Sequence, residues 1–536
     1  MSVRDLTYWY WLRDVKGVGP LRHRLLLRAF GSPERIFEAG PQDYLQVEHV
    51  GKKLANSLED SKNNLHRARR RLEAELKAAS KLRARIMTID EPDYPTLLKD
   101  EEAVAPIILY VLGNVSNIPG RAIAMVGSRR ASHDAQARTQ VLAGQFATGG
   151  WGVVSGLALG IDSAAHKGAL EAQGCTIAVL GCGLDFFYPP ENRSLQRRIA
   201  ERGAVISEYP LGTRPLGEFL RKRNKLIVAL SEAVILAECP AESGALIAAK
   251  EAEDRNKPTF AFVPSGSVTQ SSEGSAALIR EGRAYGLRDD HSLEDVATAM
   301  SRYREPKVCV LFDLDGVLAD SSGIMIKGYQ KAISTVLNRK VRSSELRAVL
   351  GLSPRTVLRQ HDESRVDELE TAYRRYFDQH YASEVRIRSN VQDVVTKLSG
   401  VGIPMGVVTS RNKTDTVRIL RSLGLEGRMS VMVTWGSTPR KKPYPDPVLL
   451  ALRQMPMSCQ EAAYVGDRPE DVQAARAAGV TSVAASWYGS SNADDLKAEN
   501  PDYLFKTPGR LFDLVMRLHR EAWAHSHDER GLTNNG

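Results

Sequence analysis

The apolar run Val308-Cys309-Val310-Leu311-Phe312 ends in Asp313, and a second acid, Asp315, follows before Gly316. Two carboxylates delivered from a buried strand into a glycine turn are costly without a cation, so this pair points to cation-dependent chemistry rather than to packing. Three further strings follow in order: Val407-Val408-Thr409-Ser410-Arg411, then Lys441-Lys442-Pro443-Tyr444-Pro445-Asp446-Pro447, then Tyr464-Val465-Gly466-Asp467-Arg468-Pro469-Glu470-Asp471. A second kind of chemistry is suggested upstream. Ala124-Met125-Val126-Gly127-Ser128-Arg129-Arg130-Ala131-Ser132 reads as a strand ending in a small-residue turn that opens a helix, which suits a phosphate cradle with a guanidinium beside it.

The elements that must position these residues are α/β throughout. From about Trp9 to Asp60 the pattern is helical, punctuated by Lys16-Gly17-Val18-Gly19-Pro20 and His49-Val50-Gly51-Lys52-Lys53, turns of the helix-hairpin-helix (SAM-like) kind able to hold one DNA phosphate. Residues 61–86 form a basic helical run whose charges read as a solvated face. From Arg121, short apolar strands alternate with helices at Ala122–Val126, Gly152–Ser155, Thr176–Leu180, Ala204–Ser207, Ala233–Ala237 and Thr259–Val263, the signature of a Rossmann-like, doubly wound parallel sheet with ligands at the strand C-termini. Arg302 to Lys307 reads as a linker. Strands resume at Val308–Phe312, Met405–Thr409, Met432–Thr434 and Ala463–Val465 around a helical insertion. The expected domains are 1–85 helical, 86–300 Rossmann-like and 307–510 a second α/β domain with a helical cap at about 321–389, followed by a flexible tail at 521–536.

The four C-terminal strings, in this order, resemble the haloacid dehalogenase superfamily over roughly Lys307 to Pro508. The resemblance implies a Rossmannoid phosphatase that forms an aspartyl phosphate on Asp313. Asp315 matches the general acid/base, Thr409 a hydrogen-bond donor to the phosphoryl oxygens, and Lys442 the cation that neutralises the nucleophile and the transition state. Mg²⁺ would be held by Asp313, the backbone carbonyl of Asp315 and Asp467, with Asp471 supporting that shell. The insertion matches a cap that closes over a small phosphomonoester. Tyr329, Arg355, Arg359 and Arg375 are its candidate specificity residues.

The N-terminal half carries Val154-Ser155-Gly156-Leu157-Ala158-Leu159-Gly160-Ile161-Asp162, Ala178-Val179-Leu180-Gly181-Cys182-Gly183, Ile206-Ser207-Glu208-Tyr209-Pro210, Arg223-Asn224-Lys225 and Ser243-Gly244-Ala245-Leu246. These strings resemble the DNA-processing protein A (Smf) family over residues 5 to 300. The resemblance implies a non-enzymatic module that binds single-stranded DNA and, in transformation and recombination, helps load RecA onto it. Gly127, Ser128, Arg129, Gly156, Lys167, Arg221, Lys222, Arg223, Asn224, Lys225, Ser243 and Gly244 would then line a sequence-independent phosphate surface along the strand-end rim. Lys225 stands where the family has arginine, and the family's winged helix is replaced by the second α/β domain. His166 reads as a satisfied histidine rather than a metal ligand.

A net charge of +9 over 536 residues favours an anionic partner but is too dilute to establish one, while 43% hydrophobic and 26% charged residues are those of folded domains. Cys175, Cys182, Cys239, Cys309 and Cys459 are scattered without a C-x-x-C pair, which argues against a disulfide framework or zinc site. Neither a signal-like N-terminus nor a membrane-length apolar stretch is present, so the expected location is cytoplasmic, with no membrane partner. The expected partners are single-stranded DNA, RecA, a phosphomonoester and, for assembly as a homodimer, a second copy of the chain. The alternative reading is a sensor of a nucleotide-derived ligand coupled to a phosphatase effector in a regulatory or defence system.

Overall fold

The computed structural model describes residues 3–115, 118–347, 349, 353–489 and 493–525. It divides into two units, 1–301 and 302–536. In the first unit, helices Val3–Asp14, Pro20–Phe30, Pro33–Glu38, Pro41–Tyr44, Lys52–Ser61 and Leu65–Leu82 precede the sheet. Gly19 and Gly51 each stand as the residue before a helix, as the two glycine turns predict. The long basic helix Leu65–Leu82 buries Ala68, Leu72, Glu75 and Ala79, and its arginines stay on the other face.

Nine strands follow: β1 (Arg85–Thr88), β2 (Ile108–Gly113), β3 (Ala122–Val126), β4 (Gly152–Ser155), β5 (Thr176–Leu180), β6 (Ala204–Ser207), β7 (Ala233–Leu236), β8 (Thr259–Phe262) and β9 (Tyr285–Leu287). Their order is β1-β2-β6-β5-β4-β3-β7-β8-β9. The pairings from β6 through β9 are parallel, and β2 runs antiparallel to both β1 and β6. Strands β3, β4 and β5 are buried at every position, as a sheet covered on both faces requires. Sequence reading missed β1, β2 and β9: β1 and β9 are short edge strands, and β2, between β1 and β6, pairs antiparallel to both, outside the parallel alternation. The helices before the sheet share one apolar cluster with it, so no core boundary falls at residue 85. Part of that join is polar: Tyr10 Oη donates to Glu75 Oε2 at 2.8 Å, and Tyr110 Oη donates to the same oxygen.

The second unit contains β10 (Val308–Phe312), β11 (Met405–Val408), β12 (Val431–Val433), β13 (Glu461–Gly466), β14 (Thr481–Ala485) and β15 (Tyr503–Phe505). All are parallel, in the order β12-β11-β10-β13-β14-β15. The chain leaves β10 for β11 on one side and returns to β13 on the other, so the C-termini of these strands converge around a crevice. The insertion after β10 includes helices Ser322–Leu337, Ser343–Arg347, Pro354–Arg359 and Val366–Glu384.

Two sequence expectations need correction. Helix Leu293–Arg304 runs into the segment read as a linker. The segment 521–536, expected to be a flexible tail, begins inside helix Gly509–His525, because Trp523 is buried edge-on against Tyr303 with ring centroids 4.8 Å apart. Residues 526–536 lie outside the described residues. The five cysteines are free thiols. Among the described residues no helix is long and apolar enough to cross a membrane.

Candidate active site and nucleic-acid interface

In the second unit, β10 carries Asp313 to the crevice, its backbone N–H held on Val465 O of β13 at 2.8 Å. Lys442 Nζ lies 2.6 Å from Asp313 Oδ1, 2.6 Å from Asp471 Oδ1 and 3.0 Å from the Tyr464 hydroxyl. Tyr464 Oη in turn donates to Asp471 Oδ1 at 2.9 Å. Asp313, Asp467 and Asp471 are all buried, and each offers an oxygen within 4.8 Å of the others. Burial, and then repulsion from Asp471, Asp467 and Asp315, pushes the Asp313 carboxyl well up, against the pull of Lys442. Burial works against the Lys442 charge, but Asp313 and Asp471 outweigh it and hold the group as an ammonium. A divalent cation would relieve the repulsion among these acids, and the all-oxygen donor set suits a hard ion. Gly466 makes the arrangement possible, since a Cβ there would stand 2.1 Å from the Asp471 Cβ.

Asp315 is turned to other partners. Its oxygens accept from Arg411 Nε at 2.5 Å and Nη2 at 2.8 Å, and from the Ser321 hydroxyl. Burial raises its pKa, but the Arg411 guanidinium and Ser321 outweigh that and hold it below the usual carboxylate value. Thr409 directly follows β11, and its hydroxyl oxygen accepts from Arg411 N at 3.2 Å. Arg411, Ser321 and Tyr464 are the participants that sequence reading left without a role. Arg411 was legible only as the last residue of the Thr409 string, and its tie to Asp315 spans 96 positions.

Core and cap residues together line a cavity of about 530 Å³ that includes Asp313, Asp315, Thr409, Lys442, Asp467 and Asp471. Of the cap candidates, Arg355 lines it and pairs with Asp367 at 2.7 Å and Glu370 at 2.8 Å. Tyr329 is withdrawn from it: the ring is fully buried and stacked on Tyr373 at 4.8 Å, where its apolar area is better satisfied. Arg359 reaches Glu363 at 3.8 Å, and neither it nor Arg375 lines the cavity.

In the first unit, the ends of β3, β4 and β7 meet. Ser128 N donates to Glu238 O at 2.7 Å, and Glu238 accepts from Ser132 N and Oγ at 3.1 and 2.6 Å, holding the start of helix His133–Thr148. Glu238 is a rim acid that no sequence motif marks. Arg129, Lys167, Arg221, Lys222 and Gly244 are exposed, while Gly127, Ser128 and Ser243 are half-buried. Lys222 pairs with Glu218 at 2.5 Å and Lys225 with Glu208 at 3.1 Å.

Arg223 departs from the expected rim position. It is 6% exposed, and its Nη1 donates to Gly156 O and, at 3.0 Å, to Val179 O. Its Nη2 lies 3.5 Å from Asp162 Oδ2. Asn224 is likewise buried, its amide donating to Gly244 O at 3.0 Å. Gly156 is buried beneath Arg223, and a Cβ there would lie 2.2 Å from Arg223 Nη2. Arg223 thus ties the loop after β4 to β5, and Asn224 ties the same segment to the loop after β7, while Arg223 Nε stays buried without a hydrogen-bond partner among the described residues. His166 is fully buried and only half satisfied: Nδ1 lies 2.7 Å from Thr176 Oγ1, while Nε2 has no hydrogen-bond partner among the described residues.

Comparison with known proteins divides the chain in the same place. Residues 85–299 match the family model of DNA recombination-mediator protein A, and residues 310–485 that of haloacid dehalogenase-like hydrolases. Protein Smf of Synechocystis sp. is 36% identical over 299 residues, which are 55% of this chain and 73% of that protein. DNA processing protein DprA of Streptococcus pneumoniae is 40% identical over 179 residues, 33% of this chain and 62% of that protein. The putative pyrophosphatase PpaX of Caldanaerobacter subterraneus subsp. tengcongensis is 32% identical over 206 residues, 38% of this chain and 93% of that protein. The chain therefore belongs to the DNA-processing protein A (Smf) family through its N-terminal unit and to the haloacid dehalogenase-like hydrolases through its C-terminal unit.

Proposed function

We propose that the chain is bifunctional, binding single-stranded DNA by its backbone phosphates in the first unit and hydrolysing a phosphomonoester in the second. The observation that carries the enzymatic half is Asp313 at a strand end, 2.6 Å from Lys442 and crowded by Asp467 and Asp471. Asp313, Asp467 and the backbone carbonyl of Asp315 would hold Mg²⁺, with Asp471 in support; when bound, that ion neutralises the acids and the phosphate brought against them. The Asp313 carboxylate then attacks phosphorus, forming the aspartyl phosphate as the ester oxygen leaves. Thr409 donates to a phosphoryl oxygen, and Lys442 offsets the negative charge in the transition state. Asp315 gives a proton to the leaving oxygen and takes one from the water that hydrolyses the acyl phosphate. To do so it must part from Arg411, whose freed guanidinium can turn to the phosphoryl oxygens.

For the first unit, exposed Arg129, Lys167, Arg221 and Lys222 supply charge, and the backbone at Gly127, Ser243 and Gly244 supplies N–H donors near the strand ends, a combination that contacts phosphates without reading bases. The Ser128 N–H is engaged by Glu238 O. RecA as a partner and a homodimeric assembly are proposed on the family resemblance, and co-sedimentation with RecA and light scattering test them. The decisive experiment on the enzyme is Mg²⁺-dependent hydrolysis of an aryl phosphate. Asp313→Asn abolishes it, and turnover surviving that change removes Asp313 as nucleophile.

A further inference from the structure

One side chain at the catalytic cavity is used neither by the phosphoryl chemistry nor by the core. Trp435 follows β12, lines the same cavity as Asp313 and is 45% exposed. An indole is a large apolar surface that folding ordinarily buries, so an open face beside a reacting carboxylate is informative. The residue is held firmly. Its backbone N–H donates to Arg411 O at 2.8 Å, and its carbonyl accepts from Lys441 Nζ, which also sits 5.1 Å from the ring centroid. The ring is thus tied to the segment that carries Arg411 and flanked by a cation.

The cavity, at about 530 Å³, holds far more than a phosphoryl group and falls in the range of about 300–1,000 Å³ used for small organic ligands. Its cap wall presents Thr356, Arg355, Glu370 and Arg374, donors and an acceptor suited to hydroxyls or a base edge. Inorganic pyrophosphate or an alkyl phosphate would leave the indole in water, whereas a planar heteroaromatic leaving group would cover it. Resting on the phosphatase reading, we propose that Trp435 is a specificity-determining residue that stacks the base of a nucleoside monophosphate whose phosphoryl group sits at Asp313. Stacking tolerates any base, so the selectivity is for a nucleotide over an aliphatic ester rather than for one base.

The test compares AMP and CMP with glycerol phosphate on the full chain with Mg²⁺. Both nucleotides are expected to exceed glycerol phosphate in kcat/KM by about tenfold, the scale of aromatic stacking on a base. Trp435→Ala collapses that ratio through KM for the nucleotides, and Trp435→Phe keeps most of it. Equal efficiency for the two substrate classes, or a Trp435→Ala loss common to both, overturns the inference and leaves the phosphatase reading standing. Hydrolysis of neither class overturns both. A 5′-phosphorylated single strand cleaved as efficiently as AMP, with the same sensitivity to Trp435→Ala, places the base and phosphate on a DNA end and overturns the assignment to a free nucleotide.

Discussion

Removing Arg223 alone should destabilise the first unit far more than removing Arg223 and Asp162 together. Burial lowers the Arg223 pKa and raises that of Asp162, each toward its neutral form, even though the two charges lie 3.5 Å apart. Desolvation therefore exceeds the attraction between them, and the intact pair contributes little net stability. Arg223→Met strands the Asp162 carboxylate in a buried site and frees the carbonyls of Gly156 and Val179. A buried pair broken on one side costs about 3–5 kcal/mol, whereas replacing both members is often close to neutral. Asp162→Asn with Arg223→Met should accordingly recover most of the loss, a coupling of at least about 2 kcal/mol in a double-mutant cycle. Urea unfolding of the full chain, followed by hydrogen exchange in peptides covering β3 to β6, reads this locally. With a slope of about 3 kcal/mol/M, the single variant shifts the midpoint by about 1 M or more. A single-variant loss below about 1 kcal/mol, or additive losses in the cycle, refutes the assignment of Arg223 as an internal pin and returns it to the list of phosphate ligands.

Arg221 and Lys222 are exposed, so neutralising both should leave unfolding unchanged while lowering the slope of log affinity for single-stranded DNA against log salt by about 1 to 2; an unchanged slope excludes this surface. Gly466→Ala drives a Cβ into Asp471 and should cost at least about tenfold in phosphatase kcat/KM, measured beside a circular dichroism spectrum that stays folded. His519 accepts from Lys307 N at 3.2 Å through Nδ1 and donates through Nε2 to Tyr303 O at 3.0 Å, which fixes the neutral ring. Burial, with Arg520 and Lys307 nearby, pushes its pKa down to about 4 against an ordinary 6.5. Between those values the unfolded chain takes up the proton and the native chain does not, so stability falls as pH drops through 6.5 toward 4. The loss is about 2 kcal/mol at pH 5 relative to pH 8, and His519→Gln should flatten that part of the stability profile of the second unit.

The sequence by itself determined the order of elements and brought forward the groups proposed to react. Strands such as β3 and β10 are continuous apolar runs closed by glycine or acid, and their burial on both faces follows from composition alone. Asp313, Asp315, Thr409 and Asp467 were legible as candidates because each follows closely on a strand end, and Lys442 because of its place in the Lys441-Lys442-Pro443 string. Tertiary structure decided the pairings. Asp315 with Arg411, Arg223 with Asp162 and Trp523 with Tyr303 join residues 61 to 220 positions apart, and no local pattern encodes which partner a charge or a ring will meet. It also decided exposure: Arg221, Lys222 and Arg223 are consecutive in sequence, yet the turn of the helix sends two to solvent and one inward. Hence a basic cluster read as one phosphate surface resolves into exposed charges and an internal staple, and the open face of Trp435 becomes visible only once the cap has formed the opposite wall.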